Sequence, residues 1–428
     1  MKQFLTIIFS VTISFLYSQD TLQLMQYNLL NYGNYTDYCS SGNNNVDVKN
    51  THLKNIIDFV KPDIFSVNEM AKDEIFHDIL LNDVLNTDGV TYYKRVASTN
   101  AANSYLVNML YFNSEKLSLY SQDIVYAMVR DINVYTLYFN SADLAETHDT
   151  IFLTCFVAHL KAGSQNWNAD KRAQMVSSAM TYIMIHNLHD NMLFMGDLNV
   201  YSDQEQAYRN LIYTYNGIRY FYDPIDTQGD WNNKYSFKDV HTQSTHAGGG
   251  GCAASGGLDD RFDFIMSSES LLEGQKGMKL LKNTYTALGN DGQHFNKNIN
   301  DLPTNTSAPI DVINALYGAS DHLPIIVKIA VDAAFNMLEE KSNISSIQFQ
   351  NPCNNSLHLR IQLRVSQKVY LEIYNIYGQL VISRELNALN NRIEEQISMH
   401  SYSDGAYVLR LTDESGKTIS RKFILNKY

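Results

Sequence analysis

Five short segments of this 428-residue chain set a polar group at the mouth of an apolar run. Asn28 closes LQLMQYN, Glu69 closes DIFSVNE, Asp197 and Asn199 sit in GDLN, Asp263 lies in RFDFIM, and Asp321-His322 precede Pro324 in SDHLP. A carboxylate at the end of an apolar strand is expensive to place unless it is hydrogen-bonded, paired or metal-bound. Several at equivalent strand ends form one rim, so the chain must fold in a way that brings these ends together.

The rest of the pattern states how. Residues 20 to 332 alternate short apolar runs with longer amphipathic ones, as an α/β or α+β layer fold does. LQLMQYNLL, DIFSVNE, VNMLYFN, IFLTCFVAHL, NMLFMGDLN, RFDFIMSS and LPIIVKIAV read as strands. DVKNTHLKNIIDFVKP reads as a helix stopped by Pro62, and ADKRAQMVSSAMTYIMIHNLHD as a second helix starting near Ala169. Residues 31 to 47, 200 to 257 and 283 to 319 are rich in Gly and Asn and read as long loops. After Val331 the pattern changes to LHLRIQL, KVYLEIYNIYG, QLVISREL, RIEEQISM, GAYVLRLTD and KTISRKFILN, with turns at Tyr377-Gly378, Asp404-Gly405 and Ser415-Gly416. That is a small antiparallel β-sandwich. The expected organisation is a leader over 1–18, a catalytic domain over 19–332, a linker over 333–344 and the β-sandwich over 345–428.

The leader is Lys2 followed by the apolar run Phe4 to Tyr17 and then Ser18-Gln19-Asp20, the order of a secretory signal. The run is short for a membrane span, so the mature chain is expected outside the cytoplasm without a stable span, as a monomer. Four cysteines allow three pairings. Cys155 in IFLTCFVA reads as a buried thiol, and a bridge between the polar loops of Cys39 and Cys252 is the expected pairing. Formal charge is −12, with residues 1–332 at 22 − 36 = −14 and residues 333–428 at 11 − 9 = +2. No strongly basic domain is present to hold a polyanion by bulk charge. Positive charge for a phosphate ester must therefore come largely from a bound cation.

The rim suits that demand. Asn28, Glu69 and Asp321 offer oxygen ligands for a hard cation, Mg²⁺, Mn²⁺ or Ca²⁺. Asp263 can orient His322, and His159 in VAHLKAG stands at another strand end. Asp197 and Asn199, two apart on an extended segment, can position and deprotonate an attacking water. The reaction these groups fit is metal-assisted hydrolysis of a phosphoester by in-line attack, without a covalent intermediate. Lys161 and Arg172 are candidate phosphate contacts, and His294 in GNDGQHFNKNIN a candidate lid residue.

Taken in order, these strings resemble the endonuclease/exonuclease/phosphatase superfamily, in its deoxyribonuclease I-like branch, over roughly residues 22–332. NLLNYG from Asn28 resembles the opening asparagine motif and DIFSVNE the metal-binding glutamate strand. MGDLN and SDHLP are the most diagnostic pair. The resemblance implies a four-layer α/β sandwich of two packed mixed sheets flanked by helices, with the site at one edge. It implies that Asn28, Glu69 and Asp321 hold or support the ion, that Asp197 and Asn199 orient nucleophile and phosphate, and that Asp263/His322 act as acid or base opposite His159. Two departures stand out: the segment SYLVNMLYF lacks the glutamate that supports the first histidine, leaving Asn108 or a residue from elsewhere, and Ala71 replaces a minor-groove-reading arginine. The implied activity is that of a secreted nuclease, with DNA favoured. Alternatives are a phospholipid or sphingomyelin phosphodiesterase, a phosphomonoesterase, and a catalytically inactive surface binding module. NPCNNSLHLRI, VYLEIYNIYGQLV, DGAYVLRL and FILNKY resemble the C-terminal sorting domain of type IX secretion cargo, which implies the secretion machinery as partner.

Overall fold

The computed structural model describes residues 20–141, 144, 150–213, 218–249, 251–331, 343–375, 379–414, 416 and 418–427. The expected leader, most of the linker, and the turn residues Tyr377, Gly378 and Ser415 lie outside the described residues. The chain divides into two compact units, Met1–Asn336 and Met337–Tyr428.

In the first unit, strands β1 (Asp20–Tyr32), β2 (Ile64–Ala71), β3 (Tyr93–Arg95), β4 (Leu106–Asn113), β10 (Met278–Ala287) and β11 (Ile325–Val331) form one sheet in the order β10-β11-β1-β2-β4-β3. A second sheet has the order β5-β6-β7-β8-β9, from β5 (Leu117–Val125), β6 (Ile132–Phe139), β7 (Phe152–His159), β8 (Met192–Asp197) and β9 (Asp263–Ser267). Each sheet holds one parallel pair in its interior, β1/β2 in the first and β7/β8 in the second, with antiparallel partners around it. Both sheets are therefore mixed.

Alternation builds the layers. In the second sheet Leu153, Cys155, Val157, Leu193, Met195 and Ile265 join the core shared with the first sheet. Their neighbours Phe156, Ala158, Phe194, Phe264 and Met266 pack instead with Met175, Val176, Ala179, Met180, Ile183, Tyr208 and Leu211 from the helices Asn166–Ile185 and Gln206–Ile212. Burial on both faces is why these strands read as continuous apolar runs. On the far side, helices Val46–Val60 and Ile310–Ala319 supply Leu53, Ile56, Val312, Ile313 and Leu316 to the first core. The order helix, sheet, sheet, helix is the expected four-layer sandwich.

Three sequence readings need correction. The second helix starts at Asn166, with Gln165 at its cap, and stops at Ile185. The span 283–319 is not one loop, because β10 runs to Ala287 and a helix occupies Ile310–Ala319 just after Pro309, a residue suited to a helix start. The span 200–257 contains the helix Gln206–Ile212, which buries Ala207, Tyr208, Leu211 and Ile212.

The second unit is a β-sandwich of its own, with sheets ordered β12-β13-β16 and β15-β14-β17-β18. Its strands are β12 (Ile344–Phe349), β13 (Ser356–Leu363), β14 (Lys368–Asn375), β15 (Leu380–Asn387), β16 (Arg392–Ser398), β17 (Gly405–Asp413) and β18 (Thr418–Leu425), every ladder antiparallel. A separate apolar core, including Leu357, Leu371, Ile373, Leu409 and Phe423, holds it together. Among the described residues no helix is long and apolar enough to cross a membrane.

Candidate active site

The strand directions bring the polar ends together. Parallel β1/β2 and β7/β8 end at one edge, β9 begins there opposite β8, and the turn before β11 returns beside β1. His159 lies opposite Asp197, and Asp197 opposite Asp263, in the second sheet's register. His159, Asp197 and Asp263 continue the alternation that faces the first sheet. Glu69 does not follow alternation: the ladders slip at Asn28/Tyr32 and Val67/Met70, and Glu69 takes φ 61°. This bulge aims its carboxylate into the same edge as Asn28. Asn199, at φ 51°, turns back on Asp197, a conformation asparagine tolerates better than most residues.

The eight residues assigned to the rim and its histidines meet here, and seven are buried: Asn28, His159, Asp197, Asn199, Asp263, Asp321 and His322. Asn28 Nδ2 donates to Glu69 Oε1 (3.1 Å) and to Asp197 Oδ2 (2.9 Å), while its Oδ1 accepts from the Leu30 amide at 2.9 Å. Asn28 thus orients two carboxylates. Asn31 N donates to Glu69 Oε2 at 2.9 Å. Asp197 Oδ1 accepts from both the backbone and the side-chain amide of Asn199, at 3.0 and 2.8 Å. His322 Nδ1 meets Asp263 Oδ2 at 2.7 Å, and its Nε2 stands 3.7 Å from Asp197 Oδ2. Across the site His159 Nε2 lies 3.5 Å from Asp197 Oδ2 and 3.8 Å from Glu69 Oε1.

The electrostatics separate the groups. Burial, followed by Arg130, His322 and Lys161, holds His159 well below the usual histidine range, so it is neutral. Burial acts the same way on His322, but Asp263, Asp197 and Asp321 outweigh it and raise its proton affinity well above the usual range. Burial pushes the Asp197 carboxyl up to about 7, against the pull of His322 and with Asp263 and Glu69 adding to the rise. A carboxylate so placed accepts protons near neutrality.

A divalent cation fits the donors present. Glu69, His159 and Asp197 each place a ligand atom within 4.8 Å of the others. Asp321 Oδ2 accepts from Ala254 N (2.8 Å) and Gln243 Nε2 (3.3 Å), leaving its buried Oδ1 without a hydrogen-bond partner. Asp321 is not one of that group of three, but its orphaned carboxylate oxygen is a further donor of the kind a hard cation takes.

Several readings resolve differently from expectation. Asn108 does not support His159: its amide nitrogen faces Asp131 O, Asn133 Oδ1 and Val157 O, and His159 Nδ1 is buried without a partner. Arg172 is fully buried and grips Glu205 with two bonds of 2.8 and 2.9 Å, while its third nitrogen holds Lys161 O and Gly163 O. It props the loop after His159. His294 is buried too, between Asp291 Oδ1 (2.8 Å) and the carbonyls of Asp301 and Pro303. It pins its own loop. Cys39 and Cys252 are bonded, joining the loop after β1 to the loop that carries Ala254, and Cys155 is a buried thiol.

Sequence reasoning missed three contributors. Arg130, in the turn before β6, acts electrostatically on Glu69, Asp197 and His159, and its buried Nε lacks a partner. Lys49, buried on the first helix, bonds the carbonyls of Leu29 and Leu30 beneath the bulge. Asn68 ties the sheets together: its Oδ1 accepts from Gln26 Nε2 (2.7 Å) and Asp197 N (2.8 Å), and its Nδ2 reaches Asn108 Oδ1 (2.8 Å) and Ala158 O (3.3 Å). Its place directly before Glu69 was the available signal.

No curated protein matches the chain by sequence. Among solved structures, an endonuclease/exonuclease/phosphatase from Bacteroides vulgatus is 12% identical, covering 73% of this chain and 100% of its own, with a TM-score of 0.45. The human Nocturnin catalytic domain with bound sulfate is 11% identical, covering 73% and 97%, with a TM-score of 0.45. D. rerio TDP2 complexed with a single-strand DNA product is 11% identical, covering 72% and 98%, with a TM-score of 0.44. These likenesses are remote, and the chemistry of the site stands on its own residues. At the other end of the chain, residues 349–426 match the family described as the secretion system C-terminal sorting domain, and a chain that carries this domain is secreted or held at the cell surface.

Proposed function

We propose that this chain is a secreted, divalent-metal-dependent phosphodiester hydrolase, an endonuclease acting on extracellular nucleic acid. The observation that carries the reading is the convergence of the Asp263–His322 pair on Asp197, opposite Glu69 and the orphaned oxygen of Asp321. Glu69 and Asp321 would hold the ion, with Asn28 fixing the Glu69 carboxylate. Mg²⁺, Mn²⁺ or Ca²⁺ would neutralise a non-bridging phosphoryl oxygen there.

The remaining work falls to this chain's side chains. Asp197, raised towards neutrality by burial, takes the proton of the attacking water, and Asn199 keeps its carboxylate from rotating. His322, charged by the field of Asp263, faces the phosphoryl oxygens from Nε2, and neutral His159 faces them from the other side. Arg130 adds further positive charge beside the carboxylate-rich rim.

Full-length protein incubated with supercoiled plasmid, single-stranded DNA and RNA, with each metal and with chelator, tests this. Metal-dependent cleavage by the parent is expected, with a loss of about a thousandfold or more in Asp197→Ala and His322→Ala. Release of phosphorylcholine or inorganic phosphate without polymer cleavage would move the reading to a lipid phosphodiesterase or phosphomonoesterase. Parent-like turnover by Asp197→Ala would overturn the site assignment, and inactivity on every ester would leave a binding module.

A further inference from the structure

Two loops meet at the Cys39–Cys252 bond, and each gives a backbone amide to a carboxylate of the site. In the loop after β1, Asn31 N donates to Glu69 Oε2 at 2.9 Å. In the loop before β9, Ala254 N donates to Asp321 Oδ2 at 2.8 Å, the shorter of the two bonds that oxygen accepts. The two loops differ in firmness. Around Cys39, the Thr36 amide donates to Cys39 O and the Cys39 amide to Thr36 Oγ1, both at 2.9 Å. Buried Asn44 donates from Nδ2 to the carbonyls of Leu30 (3.0 Å) and Asn31 (3.1 Å), which fastens this loop to the end of β1. The loop of Cys252 is of another kind, since six of the twelve residues 246–257 are glycine, the residue with the most backbone freedom to lose on ordering. Its base is closed by Gly256 N to Ala247 O (3.2 Å) and Gly257 N to His246 O (2.9 Å), and Ser244 Oγ donates to Ala254 O at 2.7 Å.

The disulfide lends the order of the firm loop to the soft one. Ala254 stands two residues beyond Cys252, so the tether acts close to the amide that holds Asp321. Cys252 is half-buried and gives a reductant access to the bond, whereas Cys155 and Cys353 are buried thiols, out of reach of exchange. A dithiol would break the S–S bond by adding two electrons and two protons, leaving two thiols while it closes to its own disulfide. The reverse exchange takes a disulfide-bearing oxidant, which departs as two thiols. Disulfides persist outside the cytoplasm, where a chain with this sorting domain is delivered.

We propose that the Cys39–Cys252 pair is a redox switch on the site: oxidised, it holds the Ala254 loop against Asp321; reduced, it frees that loop and weakens the hold on a divalent ion. The second half rests on the reading of Glu69 and Asp321 as groups that hold the ion.

The test compares full-length protein oxidised, reduced and desalted without air, and reoxidised with a small-molecule disulfide, beside the double variant Cys39→Ser, Cys252→Ser. Hydrogen exchange across residues 246–257 should quicken by about tenfold or more on reduction, while that of β8 stays as it was. The dissociation constant for Mn²⁺, read from the free ion's paramagnetic resonance, should rise by about 10- to 100-fold and return on reoxidation. The double variant should show the reduced values under either condition; if it does not fold, the reduced parent carries the comparison. Unmoved exchange in 246–257 overturns the proposal, as does an Mn²⁺ affinity that is the same in both states of a parent that binds the ion. Equal loss of protection in β8 also overturns it, because the bond would then hold the whole fold and not one loop. A loop that loosens on reduction in a parent that binds no divalent ion supports the switch and rejects the metal-dependent reading instead.

Discussion

Asp197 is the residue on which the site's charge balance turns. Its carboxyl, at 3.8 in the open chain, is pushed up to about 7 by burial. Between those values the folded chain keeps a proton that the unfolded chain has released, so stability falls as pH rises through that window and stays lower above it. Asp197→Asn removes the effect. In chelator, the variant should gain more stability over the parent at pH 8 than at pH 5, read from urea midpoints at the two pH values; an equal gain at both would reject the burial argument. At this scale much of the site was legible, because a carboxylate closing an apolar run has few innocent explanations. Glu69 was legible as a ligand, but the bulge that turns it inward was not, since backbone at φ 61° leaves no periodic trace. Gln243 and Arg130 were illegible for another reason: both come from loops, where residue type says little until the chain closes around it.

The elements explain why one glycine in the MGDLN motif is irreplaceable. Gly196 has φ 143°, and a Cβ there would lie 1.8 Å from the carbonyl oxygen of Ala158 on the parallel neighbour β7. Any side chain would force apart the two strands that present His159 and Asp197. Gly196→Ala should cost about 3 kcal/mol or more, measured by chemical unfolding of purified protein. A loss below about 1 kcal/mol would mean that the strands can separate freely. The disulfide acts on the loops instead. Cys252 lies two residues from Ala254, whose amide holds Asp321, and its bond to Cys39 closes a loop of 213 residues. Replacing both cysteines by serine should cost about 2–5 kcal/mol and lower turnover; unchanged turnover would show that Ala254 stays in place untethered. Most strands buried on both faces were readable as apolar runs, but β6, INVYTLYF, was missed although it is mostly buried. Half-exposed β5, with the pattern LSLYSQDIV, and β10, with MKLLKNTYTA, were missed because their polar residues dilute the signal.

At the scale of the whole molecule, the candidate site and the sorting domain lie in units with separate apolar cores. Every residue of the working site lies in Met1–Asn336, and the sorting-domain match lies in Met337–Tyr428. A chain ending at residue 336 should hydrolyse its substrate within about twofold of the parent rate in vitro, while losing delivery outside the cell. A large loss of turnover in the shortened protein would place part of the catalytic machinery in the tail.

The amide of Asn68 has a consequence for the protein's history before it reaches the medium. Asn28, Glu69 and Asp321 arrive with one sheet, and His159, Asp197 and Asp263 with the other, with Asn68 as the dowel between them. Neither half can perform the reaction alone. For the nuclease proposed above, competence requires the two sheets to be docked on the shared peg of Asn68, so a copy in which they are apart would carry no hazard to the nucleic acid of the cell that makes it.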